Sequence, residues 1–147
     1  MYEDARKLDD KVSVAPQPTP DDFADIARAG FKSIINNRPD GEEPGQLPHA
    51  EAQKIAQAHG LNYVYIPVTS ATLGPDAVEA FTRAVDELPG PVLAHCRSGT
   101  RCTVLWALSE ARRGDRTPDD LIATAAEQGY DIANLRPALE RLANGEG

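Results

Sequence analysis

The run Val92-Leu93-Ala94 constrains this 147-residue chain more than any other feature, because it has no polar alternation. A strand with one wet face alternates apolar and polar residues; one without alternation is covered on both faces. That requires helices on both sides of a mainly parallel sheet. The rest of the chain fits the same scheme. Val12 and Val14 mark a first strand. Thr19-Pro20 predicts a helix cap followed by proline at the first helical position. Phe23, Ile26 and Ala27 then share a face, and Gly30 sits where a helix closes. Ser33-Ile34-Ile35 is a second strand, followed by the turn-rich loop NNRPDGEEPGQLP. His49 to His59 predicts a helix ending at Gly60, and Tyr63 to Val68 a third strand. Val78, Phe81, Val85 and Leu88 recur at helical spacing. The order βαβαβαβ predicts one domain over residues 1–147, an α/β three-layer sandwich.

Downstream, TVLWALSEARRG is apolar all round from Val104 to Leu108, which predicts a central helix. Thr117-Pro118-Asp119-Asp120 starts another. Ile132, Leu135, Leu139 and Leu142 predict a last one, with Pro137 at the start of its regular part.

In such sheets ligands bind beyond the carboxyl ends of the strands. Cys96 falls there, between the fourth strand and the central helix. Unpaired backbone N–H groups and the helix dipole at that point attract negative charge and favour a thiolate. Gly99 permits a backbone turn that aims several amides inward. Arg101 offers a planar fork to an anion, and Arg97 adds positive potential at the mouth. Ser98, Thr100 and Cys102 complete an anion-binding loop, and Thr103 is expected to hydrogen-bond the Cys96 sulfur. The pattern fits a nucleophilic cysteine attacking an electrophilic atom carried by an anion. Cys102 reads equally as a packed helical thiol or as a resolving partner. Asn36, Asn37 and Arg38 leave the second strand at the same sheet end. Arg38 either adds charge beside the loop or is a solvated arginine, and His95 is either a structural residue or helps to shape the loop.

Charge and composition exclude other classes. The net charge is -8 and no basic cluster stands out, so neither nucleic acid nor an anionic membrane is an expected partner. No apolar run is long enough to span a bilayer, and the charged start Met1 to Lys11 lacks a signal-type apolar core. A cytoplasmic location is therefore expected. Two cysteines make no disulfide framework. His49, His59 and His95 are scattered and form no zinc pattern, so neither metal nor cofactor is expected. The pattern specifies no oligomeric state.

HCRSGTRCT resembles the signature of protein tyrosine and dual-specificity phosphatases: His-Cys, five residues, Arg, then Ser or Thr. Thr103 stands at the Ser/Thr place, but Arg101 comes one residue early and Cys102 occupies the arginine position. CRSGTR also resembles the rhodanese active loop, Cys, four residues, Arg. Taken with SVAPQPTPDDFADIARAGFKSIINNRPDGE and YVYIPV, the chain resembles the beta-lactamase-hydrolase-like phosphatase-domain family. That resemblance implies a protein tyrosine/dual-specificity phosphatase-like fold, with members described both as phosphatases and as sulfur transferases. Where dual-specificity phosphatases place a general-acid Asp, this chain has Thr69-Ser70, and the next carboxylate, Asp76, falls at a helix start.

The short Cys–Arg spacing and the missing acid lead to a first expectation of sulfur transfer. Cys96 would carry a persulfide received from a small anionic sulfur compound such as thiosulfate, with Arg101 as its anion partner. The alternative is a cysteine-dependent phosphatase acting on a phosphorylated substrate through a cysteinyl-phosphate. A third reading is a redox or sulfide sensor in which Cys96 joins Cys102.

Overall fold

Four short runs of β-branched and apolar residues pair side by side because none can satisfy its backbone alone. The computed structural model describes residues 2–146. In it β2 (Val12–Ala15), β3 (Ser33–Asn36), β4 (Asn62–Tyr65) and β5 (Val92–His95) form a parallel sheet. A two-residue strand, β1 (Arg6–Lys7), adds antiparallel to β2, giving the order β1-β2-β5-β3-β4. Its exposed, charged residues carry no strand pattern, so sequence periodicity misses it.

The central strand is β5, and all its residues are buried, as its unbroken apolar character requires. The pleat sorts side chains by parity. Val12, Val14, Ile35, Val92 and Ala94 face one core, with α3 (Pro75–Glu87), α4 (Thr100–Arg113), α5 (Pro118–Glu127) and α6 (Arg136–Ala143). Ala15, Ile34 and Leu93 face the other, under α1 (Asp22–Arg28) and α2 (His49–Ala58). The predicted α/β sandwich with a mainly parallel sheet is therefore observed. Helix α4 buries Leu105, Trp106, Ala107 and Leu108 in succession, so it has no polar stripe to give to solvent. Each such large apolar side chain contributes on the order of 1.5–3 kcal/mol by leaving water.

Three boundaries differ from the sequence reading. Helix α1 starts at Asp22, because Asp22 Oδ2 accepts from the Thr19 backbone N–H at 2.8 Å. The bond runs opposite to a Thr19 side-chain cap, and Pro20 lies in the turn before the helix. Strand β4 ends at Tyr65 instead of Val68, since Pro67 has no N–H for the ladder. Ile66 and Val68 still donate to Asn36 and Asn37 carbonyls at 2.9 and 3.0 Å. The last helix is entered through a 3-10 turn, Ala133–Leu135, and Pro137 does sit at its start. Thr117 caps α5 as read, with Oγ1 accepting from Asp120 N–H at 3.1 Å.

What positions the site is the register of the two central strands. Asn36 lies opposite His95 at their shared carboxyl ends. Asn37 N–H donates to the His95 carbonyl at 2.8 Å, so the segments leaving β3 and β5 start side by side. No helix among the described residues is long and apolar enough to cross a membrane.

Candidate active site

The chain leaves β5 at His95, turns through Cys96–Ser98, and enters α4 at Thr100. Gly99 makes the turn possible. Its φ of +95° lies in the left-handed region, and it is buried against Tyr130. This conformation brings the Gly99 N–H to 3.1 Å from the Cys96 sulfur. Cys96 itself is 1% exposed.

That environment lowers the Cys96 pKa to about 5. A hydrogen bond from the Cys102 thiol is the largest cause, burial opposes it, and the backbone amides of Cys102, Ser98 and Gly99 add to the lowering. Cys96 is therefore a thiolate at neutral pH. Cys102 behaves oppositely: burial, then the neighbouring sulfur, push its pKa well above the ordinary thiol value. Its thiol also donates to Asn37 Oδ1 at 3.2 Å. The Asn37 amide nitrogen is committed to the Ile66 carbonyl at 2.8 Å, which fixes Oδ1 as the acceptor. The Cys102 proton thus has Asn37 Oδ1 as its acceptor, beside the Cys96 sulfur whose acidity it influences.

This corrects the reading of Thr103. Its hydroxyl donates back to the Gly99 carbonyl at 2.8 Å, inside the helix, and not to the Cys96 sulfur. A hydroxyl in a helix finds the carbonyl four residues earlier without any loop rearrangement. A hydrogen bond to that sulfur comes instead from the Gly99 amide, while the Cys102 thiol donates to Asn37 Oδ1. A pH profile checks the arrangement. Alkylation of native Cys96 by iodoacetamide is expected to hold from neutral pH down to about 5 and to fall below it as the thiolate protonates. Cys102→Ala should move that fall to higher pH, and an unmoved profile would contradict the assigned cause. Linkage has the same sign. Folding lowers this pKa, so the stabilisation from the ionised thiol is complete only above the ordinary thiol range and is lost as pH falls through about 5.

The cations are arranged less openly than the sequence reading supposed. The Arg97 side chain is exposed, with Glu43 Oε2 at 3.9 Å from its Nη2. Arg101, in the first turn of α4, donates through Nη1 and Nη2 to both oxygens of Glu42 at 2.8 Å, and through Nη1 to the Val68 carbonyl at 2.9 Å. Arg38 is neither solvated nor free beside the loop. It is 1% exposed, and it donates to Glu42 at 2.9 Å, Glu43 at 3.0 Å and Gln17 at 3.2 Å. Burial of an arginine demands such partners, and the two carboxylates neutralise it. Asn36 serves this loop, accepting from Arg38 N–H at 2.8 Å and donating to Tyr63 Oη at 2.8 Å. His95 is fully buried and burial lowers its pKa to about 4, so it is neutral; neither ring nitrogen has a hydrogen-bond partner among the described residues.

Ser98 and Thr100 exchange a hydroxyl hydrogen bond at 3.0 Å on the exposed side of the loop. Tyr130, which follows α5, donates its hydroxyl to the Ser98 carbonyl at 3.0 Å. Glu42 and Tyr130 both escaped the sequence reading. The acid position is empty of acid: Thr69 and Thr72 bond each other across a turn, and Asp76 lies in the first turn of α3. A groove lined by Leu73, Val78, Leu108, Ala138 and Leu142 includes no residue of the cysteine loop.

The likenesses of the chain to known proteins agree with this geometry. Residues 4–113 match a family model described as beta-lactamase hydrolase-like protein, phosphatase-like domain. A beta-lactamase hydrolase-like protein of Xylella fastidiosa 9a5c is 39% identical over 136 residues, covering 92% of this chain and 32% of that protein. The chain thus spans about a third of the length of the curated relatives it matches. A crystal structure from Neisseria meningitidis Z2491, of a protein assigned as a phosphatase, is 35% identical with a TM-score of 0.84, covering 93% of this chain and 96% of that one. The active form of Tk-PTP shares the fold at 19% identity and a TM-score of 0.70, covering 98% and 99%. The fold is therefore that of the protein tyrosine phosphatase-like proteins.

Proposed function

Because the chain belongs to the phosphatase-like domain family of beta-lactamase hydrolase-like proteins, we propose that it is a cysteine-dependent phosphatase with Cys96 as nucleophile. The observation that carries this reading is the Cys96 thiolate, held at the head of α4 with the Gly99 amide on its sulfur. A phosphoryl group brought to that point meets a preformed nucleophile and inward amides. The thiolate attacks phosphorus, the ester oxygen leaves with its electron pair, and a cysteinyl-phosphate forms. Water then attacks phosphorus, which releases inorganic phosphate and restores the thiolate. Arg101 is the proposed anion ligand, with Arg97 adding potential at the mouth.

The sulfur-transfer expectation gains nothing from the likenesses, which all point to the phosphatase-like proteins. One feature still favours it as a second reading. Among the described residues no carboxylic acid is placed to protonate a leaving oxygen, and Glu42 is held ionised, its pKa lowered to about 2 by the hydrogen bond from Arg101 first and by Arg38. In sulfur transfer Cys96 would attack the outer sulfur of thiosulfate. The S–S bond would break and sulfite would leave with the electron pair, needing no acid. Cyanide would then take the sulfur as thiocyanate.

The same feature makes a prediction for the phosphatase. Without a general acid, esters of acidic phenols should turn over about 10²–10⁴ times faster than alkyl phosphates. Aryl-phosphate hydrolysis and thiosulfate-to-cyanide transfer, measured side by side, decide between the readings. Aryl-phosphate turnover supports the phosphatase. Its absence from acidic to neutral pH, with sulfur transfer present, overturns it in favour of the second reading.

A further inference from the structure

We propose that Tyr130 is a positioning residue for the cysteine loop: its hydroxyl clamps the Ser98–Gly99 peptide so that the Gly99 N–H stays aimed at the Cys96 sulfur. The inference rests on Cys96 as the nucleophile, whichever atom it attacks. Two contacts meet in one peptide unit. Tyr130 Oη donates to the Ser98 carbonyl at 3.0 Å, and the Gly99 N–H donates to the Cys96 sulfur at 3.1 Å. That peptide is trans, and in a planar trans peptide the C=O and N–H point in opposite directions. Holding the oxygen on one side therefore holds the proton on the other.

Local sterics do not achieve this alone. Glycine accepts either sign of φ, so the Ser98–Gly99 peptide is free to turn about its flanking bonds. Turned over, it would set the Ser98 carbonyl oxygen against the sulfur. An acceptor would then face the thiolate, and the oxygens of an incoming anion, where a donor stands now. Gly99 supplies the freedom that makes the loop, and Tyr130 selects one orientation from it.

Tyr130 is built for a fixed contact. It follows α5 by way of Gly129, whose φ is +94°. The Gly129 N–H donates to the Ala126 carbonyl at 3.0 Å, and the Tyr130 N–H to the Ala125 carbonyl at 2.9 Å. This paired closure of a helix end fixes the backbone from which the ring leaves. The ring is half-buried and packs on the core beneath α4 and α5. Burial first, and then the Cys96 sulfur, raise the Tyr130 pKa above the ordinary phenol value, so the hydroxyl stays a donor at neutral pH. Tyr130 also lies beyond residues 4–113, the stretch that matches the family model. A residue from outside that stretch thus holds the loop inside it.

The test is the pH profile of Cys96 alkylation by iodoacetamide, with the modified residue located by peptide mass. It compares wild type, Tyr130→Phe, Gly99→Ala and the pair Gly99→Ala/Tyr130→Phe. Phenylalanine keeps the ring's packing and loses only the donor. Tyr130→Phe should leave alkylation at neutral pH within about twofold of wild type. Below about pH 5, where little thiolate remains, it should slow alkylation by about threefold or more. In the Gly99→Ala background the same substitution should slow it by less than about twofold, because the amide it aims is already displaced. Thr117→Ala removes the α5 cap and leaves the loop alone, so it should lower the melting temperature without moving the profile. An unmoved profile in Tyr130→Phe would overturn the proposal. So would an equal shift in the Gly99→Ala background, or one of the same size in Thr117→Ala, which would reduce Tyr130 to a stability role. A wild-type profile that falls in the ordinary thiol range would instead remove the thiolate reading, and this inference with it.

Discussion

Cys96→Ser is expected to lower turnover by at least about 10³-fold while leaving the fold intact. The loop is arranged to stabilise a thiolate. The Gly99 amide donates to a sulfur whose pKa is lowered to about 5, with the Cys102 side chain as the largest cause and the amides of Cys102 and Ser98 contributing. A serine hydroxyl starts far above any thiol in pKa, and the same contacts leave it protonated at neutral pH. Among the described residues no base is bonded to it to take the proton. His95, the adjacent candidate, has its ring fully buried and without a hydrogen-bond partner. Serine is nearly isosteric, and a 1% exposed position with an N–H donor suits a hydroxyl, so the melting temperature should change little. The measurement is aryl-phosphate hydrolysis, together with intact-mass detection of a phosphoryl adduct after rapid acid quench. The adduct should appear on the wild type and be absent from the variant. Turnover in the variant within about tenfold of wild type would exclude Cys96 as the nucleophile, since loss of a covalent nucleophile costs far more than that.

How much of this site was legible follows from sequence distance. Cys96, Gly99 and Arg101 lie within one strand–turn–helix unit, and local rules suffice for them: a buried strand, a left-handed glycine and a helix start. The three partners that decide their chemistry come from elsewhere. Glu42 meets Arg101 across 59 residues, Asn37 meets Cys102 across 65, and Tyr130 meets Ser98 across 32. Nothing in a periodicity marks such pairs. The solvated alternative for Arg38 failed for a related reason. A charged loop residue normally stays in water, and only the approach of both Glu42 and Glu43 makes its burial tolerable. Thr103 shows a local rule winning over a motif, because a helical hydroxyl bonds its own turn first. The parallel core of the sheet, by contrast, was readable, since burial on both faces leaves its mark on every residue of β5, whereas β1 and the end of β4 were not. Counting from Cys96 to Arg101 did identify a departure from the phosphatase signature. It did not decide the reaction, because Cys102 at the arginine position turns inward as a buried proton donor.

Gly99→Ala should damage stability and activity together, for two separable reasons. At a φ of +95° an alanine is strained, a cost of about 1–3 kcal/mol. A Cβ there would also overlap Tyr130 Oη and lie 2.9 Å from Tyr130 Cζ. Tyr130 cannot yield freely, because its hydroxyl is bonded to the Ser98 carbonyl and its ring packs on the core. Relief therefore falls on the backbone between Cys96 and Thr100, the segment that aims the Gly99 amide at the sulfur. Turning that amide away removes one of the groups that keep Cys96 ionised, so its alkylation profile should move to higher pH. Turnover should drop by about tenfold or more, the scale of losing one preorganised donor. Combining Gly99→Ala with Tyr130→Phe separates the two causes. Phenylalanine removes the overlapping oxygen and leaves the φ strain untouched. The double variant should regain part of the lost melting temperature relative to Gly99→Ala alone, even though Tyr130→Phe by itself gives up the bond to Ser98. If Gly99→Ala keeps wild-type stability and pH profile, the left-handed turn does not set the acidity of Cys96. If Tyr130→Phe recovers nothing, the strain at Gly99 and the remaining contact with the ring carbon account for the loss.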